Sequence, residues 1–185
     1  MKISLLGPTN LLKFSVLLGK PISEIESSAK DIGHILGRTP HGLRAFFNYA
    51  GLLKLIGDAY KQEGGKLEML YTDNDYDWET LPYQKHLAEA NVLIKKSSWH
   101  DMLLSLVSDA EIVLCAGLSA GVFAELGYIK WNYQEKKGKL KMLIGIKELL
   151  REGQFPPEIG YDLKKIIQVI SIKDLAQTLQ ELDQP

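Results

Sequence analysis

The sequence predicts an α/β fold in which helices cover both faces of a mainly parallel β-sheet, as a three-layer sandwich. Short apolar runs alternate with segments whose apolar residues recur at helical spacing. The run at residues 111–115 is apolar almost throughout, as strands buried on both faces are. Alternation of this kind over one compact length favours parallel strands joined by crossover helices.

The first predicted strand covers residues 3–6 and ends at the loop Gly7-Pro8-Thr9-Asn10. No pattern decides the structure of the next ten residues. Ser23 and Glu26 then have the spacing of a capping box, which predicts that a helix begins there. Gly37 predicts the end of that helix.

A βαβ unit follows, with a small-residue turn at each end of its helix. Its strands are predicted at residues 43–49 and 66–71, and its helix at residues 52–63. The two turns are Ala50-Gly51 and Gly64-Gly65.

Three aspartates alternate in the loop after this unit, and two interpretations of them stay open. They form a solvated loop, or they hold ribose hydroxyls or Mg²⁺. Residues 77–88 are predicted to be a loop with a helical piece. The aspartates are Asp73, Asp75 and Asp77.

In the second half of the chain, the capping-box pair Ser98 and Asp101 predicts the start of a strongly amphipathic helix. The apolar strand at residues 111–115 comes next, and the helix after it runs to about residue 131. The other predicted elements are strands at residues 91–95, 140–144 and 166–170, and a last helix at residues 172–182.

Length and composition limit the class of protein. A chain of 185 residues fits one domain, residues 1–185, with a full hydrophobic core. The 22 Lys and Arg residues nearly balance the 23 Asp and Glu residues, so no nucleic acid or membrane partner is expected. No run of about 18 apolar residues occurs, and a lone cysteine, Cys115, excludes an intrachain disulfide. We expect a cytoplasmic location and predict no metal or cofactor.

The most informative stretch lies between the buried strand and the helix that follows it. It holds the small residues Gly117, Ser119, Ala120 and Gly121, and then Glu125 on the helix. Small residues let a ligand approach the backbone, and the free N–H groups at a helix start favour anions. Two interpretations stay open: a phosphate-binding turn with an acid beside it, or an ordinary βα turn.

Two further turns are expected at the same edge of the sheet, because the carboxyl ends of parallel strands lie together. Ligands of such folds bind at this edge, where the strand order reverses. Gly7, Thr9 and Asn10 are candidates for contact with a base or a ribose, and Gly51 is a candidate at the start of the βαβ helix. The structural alternative for each is a plain turn.

The order of these turns resembles the LOG-like Rossmann superfamily, which includes the lonely-guy cytokinin-activating enzymes and molybdenum-cofactor carrier proteins. The resemblance rests on residues 48–52 and 64–66 and on the strand, turn and helix of residues 109–126. It implies a Rossmann-like fold, a nucleotide or nucleoside monophosphate as ligand, hydrolysis of its N-glycosidic bond, and a homodimer. Glu125 would then act at the sugar carbon.

The active enzymes of that superfamily carry an Arg-Lys pair on the helix before the third motif, where this chain has His100 and Asp101. Lys96 is close in sequence and is a candidate to replace the arginine as a point charge. His100 is a candidate general acid or phosphate ligand, or else a surface histidine without a role. The missing arginine motivates an alternative function, a nucleotide-binding or sensing module without turnover.

Residues 119–128 are also similar to the third motif of nucleoside 2-deoxyribosyltransferases, in which Ser-Gly precedes Glu-Leu-Gly-Tyr. In those enzymes the glutamate attacks the anomeric carbon, so this resemblance makes Glu125 a nucleophile. A transferase of that type is a second alternative. Trp131 and Tyr133, near the end of the same helix, are candidates for the homodimer contact.

Overall fold

The computed structural model describes residues 1–73 and 81–183, with the backbone alone for residues 81–84. Its sheet contains seven strands, and every strand pairing among the described residues is parallel. The strands are β1 (Lys2–Leu6), β2 (Gly42–Phe46), β3 (Leu67–Tyr71), β4 (Val92–Lys95), β5 (Ile112–Cys115), β6 (Met142–Ile146) and β7 (Ile167–Ile170). Their order across the sheet is β4-β3-β2-β1-β5-β6-β7.

Helices cover both faces of this sheet, which confirms the three-layer α/β sandwich. One face packs against α2, α3 and α8, and the other packs against α5 and α6. The described α-helices are α1 (Leu11–Leu18), α2 (Ile22–Gly37), α3 (Gly51–Gln62), α4 (Leu81–Ala88), α5 (Trp99–Ser108), α6 (Ala120–Gln134), α7 (Pro157–Asp162) and α8 (Leu175–Leu182). None of them is both long and apolar enough to cross a membrane.

Side chains alternate between the two faces along each strand, because the pleat has a period of two residues. On β5, Ile112 and Leu114 join the core on the α2–α3 side, whereas Val113 and Cys115 join the core on the α5–α6 side. All four are buried, so the unbroken apolar run follows from a strand covered on both faces.

The predicted capping box at Ser23 is wrong. Helix α2 begins one residue earlier, at Ile22, and Pro21 stands at the cap position with no side-chain hydrogen bond. The helix does end at Gly37, but its glycine serves packing rather than a left-handed cap. A Cβ at Gly37 would lie 2.8 Å from the carbonyl oxygen of Tyr60. The close approach of α2 and α3 therefore requires glycine there.

Strand β2 ends at Phe46, three residues before the predicted end. Phe47 and Tyr49 are still fully buried, but they lie in the connection to α3. The apolar pattern that predicted a strand at these residues comes from a buried loop. Strand β6 is likewise displaced, since it begins at Met142 rather than at residue 140.

The capping box at Ser98 is half confirmed. The Ser98 hydroxyl accepts a hydrogen bond from the backbone N–H of Asp101 at 3.1 Å, as predicted. The Asp101 carboxylate accepts instead from the N–H and hydroxyl of Ser97, at 3.0 Å each. The segment with no predicted structure contains α1, and the described part of residues 77–88 is α4.

The strand order reverses between β1 and β5. From β1 the chain adds β2, β3 and β4 on one side, and then crosses to β5 on the other side of β1. After β1 the chain leads to helices on one face of the sheet, and after β5 it leads to α6 on the other face. Ligands of such sheets bind at this point.

Candidate functional site

The loops after β1 and β5 lie side by side at this reversal. Leu6 and Cys115 are partners in the strand register, and the N–H of Ala116 donates to the carbonyl of Leu6 at 2.8 Å. A Cβ at Gly7 would lie 3.7 Å from the carbonyl oxygen of Ala116. The two predicted turns are therefore adjacent in space.

Gly51 brings the third turn, at the start of α3, into contact with the loop after β1. Its φ of +54° is left-handed, and a Cβ on it would lie 2.4 Å from the carbonyl oxygen of Thr9. The next residue, Leu52, donates its N–H to the carbonyl of Pro8 at 3.1 Å. Only glycine fits both constraints. We call the surface formed by residues 7–10, 50–52 and 116–121 the switch-point cleft.

The side chain of Asn10 has a structural task at the edge of this cleft. Its Oδ1 accepts a hydrogen bond from the N–H of Lys13 at 2.9 Å and so caps α1. Thr9 is half-buried and Asn10 is exposed. The side chain of Asn10 therefore serves the start of α1.

Gly117 is required by packing. Its φ of +119° is left-handed, and a Cβ on it would lie 2.5 Å from Cζ of Phe14 and 3.2 Å from the carbonyl oxygen of Leu149. Phe14 belongs to α1, and Leu149 ends a short 3-10 turn after β6. The β5–α6 turn is therefore held between these two elements.

The start of α6 is open by comparison. The Ser119 hydroxyl caps the helix by accepting from the N–H of Val122 at 3.4 Å. Ala120 and Gly121 are exposed, and a Cβ at Gly121 would meet nothing nearer than the Ser119 hydroxyl, at 3.9 Å. The first backbone N–H groups of a helix lack intrahelical partners and carry the positive end of its dipole. This end of α6 can accept an anionic group.

Glu125 lies one turn further along α6 and has unusual surroundings. Only 9% of its surface is exposed, and no described residue makes a hydrogen bond or an ion pair with it. Burial raises the pKa of its carboxyl from 4.5 to about 8. Its charged form would also help to raise the pKa of buried Cys115 to about 12, behind the larger effect of burial. A carboxyl in this state can take or give a proton near neutral pH.

The structure places His100 next to α6. Its ring is exposed, and Nδ1 lies 3.0 Å from the hydroxyl of Tyr128. Tyr128 was absent from the predicted site, although its spacing of three residues from Glu125 puts both on one side of α6. That spacing is the signal that could have identified it.

Lys96 is paired elsewhere. Its Nζ lies 3.7 Å from Oδ2 of Asp109, the residue that follows α5. Asp73 pairs with Lys95 at 2.7 Å, and this lysine holds the pKa of the exposed Asp73 carboxyl below its usual range. Asp75 and Asp77 lie outside the described residues. Within the described part of the chain, no three His, Cys, Asp or Glu side chains form a group suited to a metal ion.

A broad surface groove of about 910 Å³ lies at another position, beside the edge strand β7. Lys147, Glu152, Gln168, Lys173 and Asp174 are among its lining residues. This open, polar groove does not include the residues of the switch-point cleft. Binding pockets for small ligands are more enclosed and more apolar. We therefore place the candidate site by its chemistry, at Glu125.

Solved structures of the molybdenum cofactor carrier protein from Chlamydomonas reinhardtii are similar to this chain over nearly its whole length. One has a TM-score of 0.66 at 12% identity, and a second has 0.63 at 13% identity. Each alignment covers 98% of this chain and 96% of the other. No family model and no curated protein matches the chain. At this identity the likeness shows a shared fold, the Rossmann-like α/β sandwich expected from the sequence.

Proposed function

We propose that this chain binds a nucleotide or nucleoside monophosphate in the switch-point cleft and hydrolyses its N-glycosidic bond. The observation that carries the proposal is the largely buried carboxyl of Glu125, which has no described partner and lies one turn after the exposed start of α6. A buried, unpaired carboxyl lowers the stability of a fold, so its presence one turn from the exposed start of α6 supports a chemical role.

The phosphate would bind at the first turn of α6. Ala120 and Gly121 are exposed there, and the unpaired N–H groups and the helix dipole favour an anion. Phosphate at this end would place the sugar over Glu125, one turn further along the helix. Thr9, which is half-buried in the neighbouring loop, would contact the base or the ribose, whereas Gly7 is buried.

Glu125 would act where the sugar loses its base. The C1′–N bond breaks, its electron pair goes to the nitrogen of the base, and positive charge develops on the sugar. Water adds to C1′ and gives its proton to the Glu125 carboxylate. Because burial raises the pKa of this carboxyl to about 8, its carboxylate is a stronger base than an ordinary glutamate, and it becomes the main form only as pH rises to about 8.

The test is to incubate the purified protein with a panel of nucleoside monophosphates and to measure free base by chromatography. Base release by the wild type and none by Glu125→Gln, with unchanged binding of the monophosphate, is the expected result. The shape of Gln matches that of Glu, so binding contacts are kept. Turnover by the Glu125→Gln variant would show that Glu125 is assigned wrongly.

A second candidate function is binding without turnover. Two observations favour it: the similar solved structures are named as carriers of a cofactor, and the arginine of the active LOG-like enzymes is replaced by His100. Retained binding of a monophosphate with no base released from any of them would establish this alternative. The transferase alternative predicts base exchange between deoxynucleosides and a sugar trapped on Glu125.

We also infer a homodimer, with the outer face of α6 as its interface. Phe123 and Trp131 are 44% and 63% exposed on this face, and Ala124 and Gly127 lie between them. A helix that is apolar on all sides is normally covered on all sides. A second copy of the chain, meeting the same face about a two-fold axis, would cover it.

A further inference from the structure

One hydrogen bond joins α5 and α6 beside Glu125. It links Nδ1 of His100, in the first turn of α5, to the hydroxyl of Tyr128 at 3.0 Å. Tyr128 follows Glu125 by three residues, so both side chains project from the same side of α6. The bond therefore fixes an exposed imidazole to the helix face that carries the buried carboxyl.

Both ends of this pair are held in place by their neighbours. Trp99, which precedes His100, packs edge-on against Phe46 with ring centroids 4.9 Å apart. Ser98 caps the first turn of α5, and the side chain of Asn132 donates to the backbone carbonyl of Tyr128 at 2.7 Å. The backbone at both partners is thus anchored, which leaves the hydrogen bond to set the orientation of the imidazole.

The hydrogen bond fixes which ring nitrogen is left without a partner. A tyrosine hydroxyl both donates and accepts, so it can accept from a protonated Nδ1 or donate to an unprotonated one. In either case Tyr128 occupies Nδ1, and no described residue is a partner of Nε2. The imidazolium, in which both nitrogens carry a proton, therefore keeps an Nε2–H without a described partner.

We propose that Tyr128 is a positioning residue, which accepts from Nδ1–H of the His100 imidazolium and so holds Nε2–H free to protonate the departing base while Glu125 acts at the sugar. This proposal rests on the proposed N-glycosidic function. The electron pair of the C1′–N bond moves to the base nitrogen, and this nitrogen takes the Nε2 proton. Water supplies the hydroxyl at C1′ and its other proton goes to Glu125. Solvent then returns a proton to His100 and removes one from Glu125.

The positioning role is tested by NMR of the His100 ring in the wild type and in Tyr128→Phe. Tyr161→Phe is the matched control, because Tyr161 is 75% exposed on α7 and loses the same hydroxyl. We expect a rigid ring in the wild type and in the control, and a mobile ring in Tyr128→Phe. A ring whose mobility does not change in Tyr128→Phe overturns the proposal.

The rate of base release tests whether the Nε2 proton of His100 goes to the departing base. Tyr128→Phe should reduce kcat for base release about 10-fold with KM unchanged, and His100→Gln should reduce it about 100-fold, the low end for a lost acid catalyst. Equal kcat in the wild type and His100→Gln overturns the role of Nε2. If the wild type releases no base, the proposed function is wrong, and so is the proposed proton transfer from His100 to the base. The NMR result still decides, by itself, whether Tyr128 positions His100.

Discussion

Glu68 on β3 is a half-buried carboxyl and Glu125 on α6 is a buried one, and the two have opposite surroundings. Oε2 of Glu68 lies 2.9 Å from Nζ of Lys2 and 3.1 Å from Nη2 of Arg44. Burial alone would raise the pKa of Glu68, but the two cations outweigh it and hold the pKa below its usual value. Glu125 has burial alone, and its pKa rises to about 8.

This difference separates a structural carboxylate from a candidate functional one. The ion pairs of Glu68 link the first three strands of the chain across one face of the sheet, so they serve the fold. An uncompensated carboxyl lowers stability, and fold stability gives no reason to keep it. The comparison therefore supports a role for Glu125 in the chemistry of the cleft.

The largest expected effect is on the pH dependence of stability. The folded chain keeps a proton on Glu125 up to about pH 8, whereas the unfolded chain releases it near 4.5. The stability that this proton provides is therefore complete below the unfolded pKa and is lost as pH rises towards 8. Relative to Glu125→Gln, the free energy of unfolding of the wild type should fall by about 4 kcal/mol between pH 5 and pH 8.

Urea unfolding of both proteins at pH 5, 6, 7 and 8 measures this difference. Glu68→Gln is the matched control and should show almost no change between pH 5 and pH 8, because the pKa of Glu68 is lowered in the folded chain and its effect begins only below the unfolded value of 4.5. Its ion pairs contribute stability above the unfolded pKa and lose it as pH falls. A difference between wild type and Glu125→Gln that is constant with pH would refute the buried, unpaired state of Glu125.

The next effect concerns the partner of the paired carboxylate. Arg44→Met should lower the free energy of unfolding by about 3 kcal/mol, because it leaves Glu68 with only Lys2. Arg44 is 5% exposed, so the lost guanidinium is not replaced by solvent. Lys30→Met, at an exposed position on α2, is the control. A loss of unfolding free energy below about 1 kcal/mol is in the range of an exposed ion pair, and it would show that Arg44 does little to stabilise the buried part of Glu68.

A smaller change tests whether the state of Glu125 depends on the cap of its helix. Ser119→Ala removes the hydroxyl that caps α6 and should cost about 1 kcal/mol at every pH. The difference in pH slope between wild type and Glu125→Gln should be the same in this background, because burial and not the cap sets the pKa. A pH slope that is halved in the Ser119→Ala background would show that the helix cap does affect the pKa of Glu125.

The smallest effect on stability is expected at the outer face of α6. Trp131→Glu should change the free energy of unfolding of the monomer by no more than about 0.5 kcal/mol, since its side chain is 63% exposed. It should convert a dimer to a monomer in light scattering, because the charge would lie in the proposed interface. Lys30→Glu, on the other face of the sheet, should leave the dimer intact. A wild-type monomer would contradict the proposed interface.

Local patterns predicted most of the fold. The unbroken apolar run identified β5 as a strand that is covered on both faces. The amphipathic spacing identified α5 as a helix that is buried on one face. Errors occurred where tertiary contact replaced local chemistry. Gly37 was predicted as a helix cap, but its glycine lets Tyr60 approach, and the apolar residues Phe47 and Tyr49 are a buried connection rather than strand.

The same division applies to the candidate site. The sequence alone determined the residue types, their order, and the placement of three small-residue turns at one edge of a parallel sheet, because these follow from local periodicity and from strand direction. Only the tertiary structure decided that Lys96 pairs with Asp109, that Phe14 fills the space beside Gly117, and that Glu125 is buried without a described partner. Those outcomes depend on which side chains meet across elements far apart in the chain.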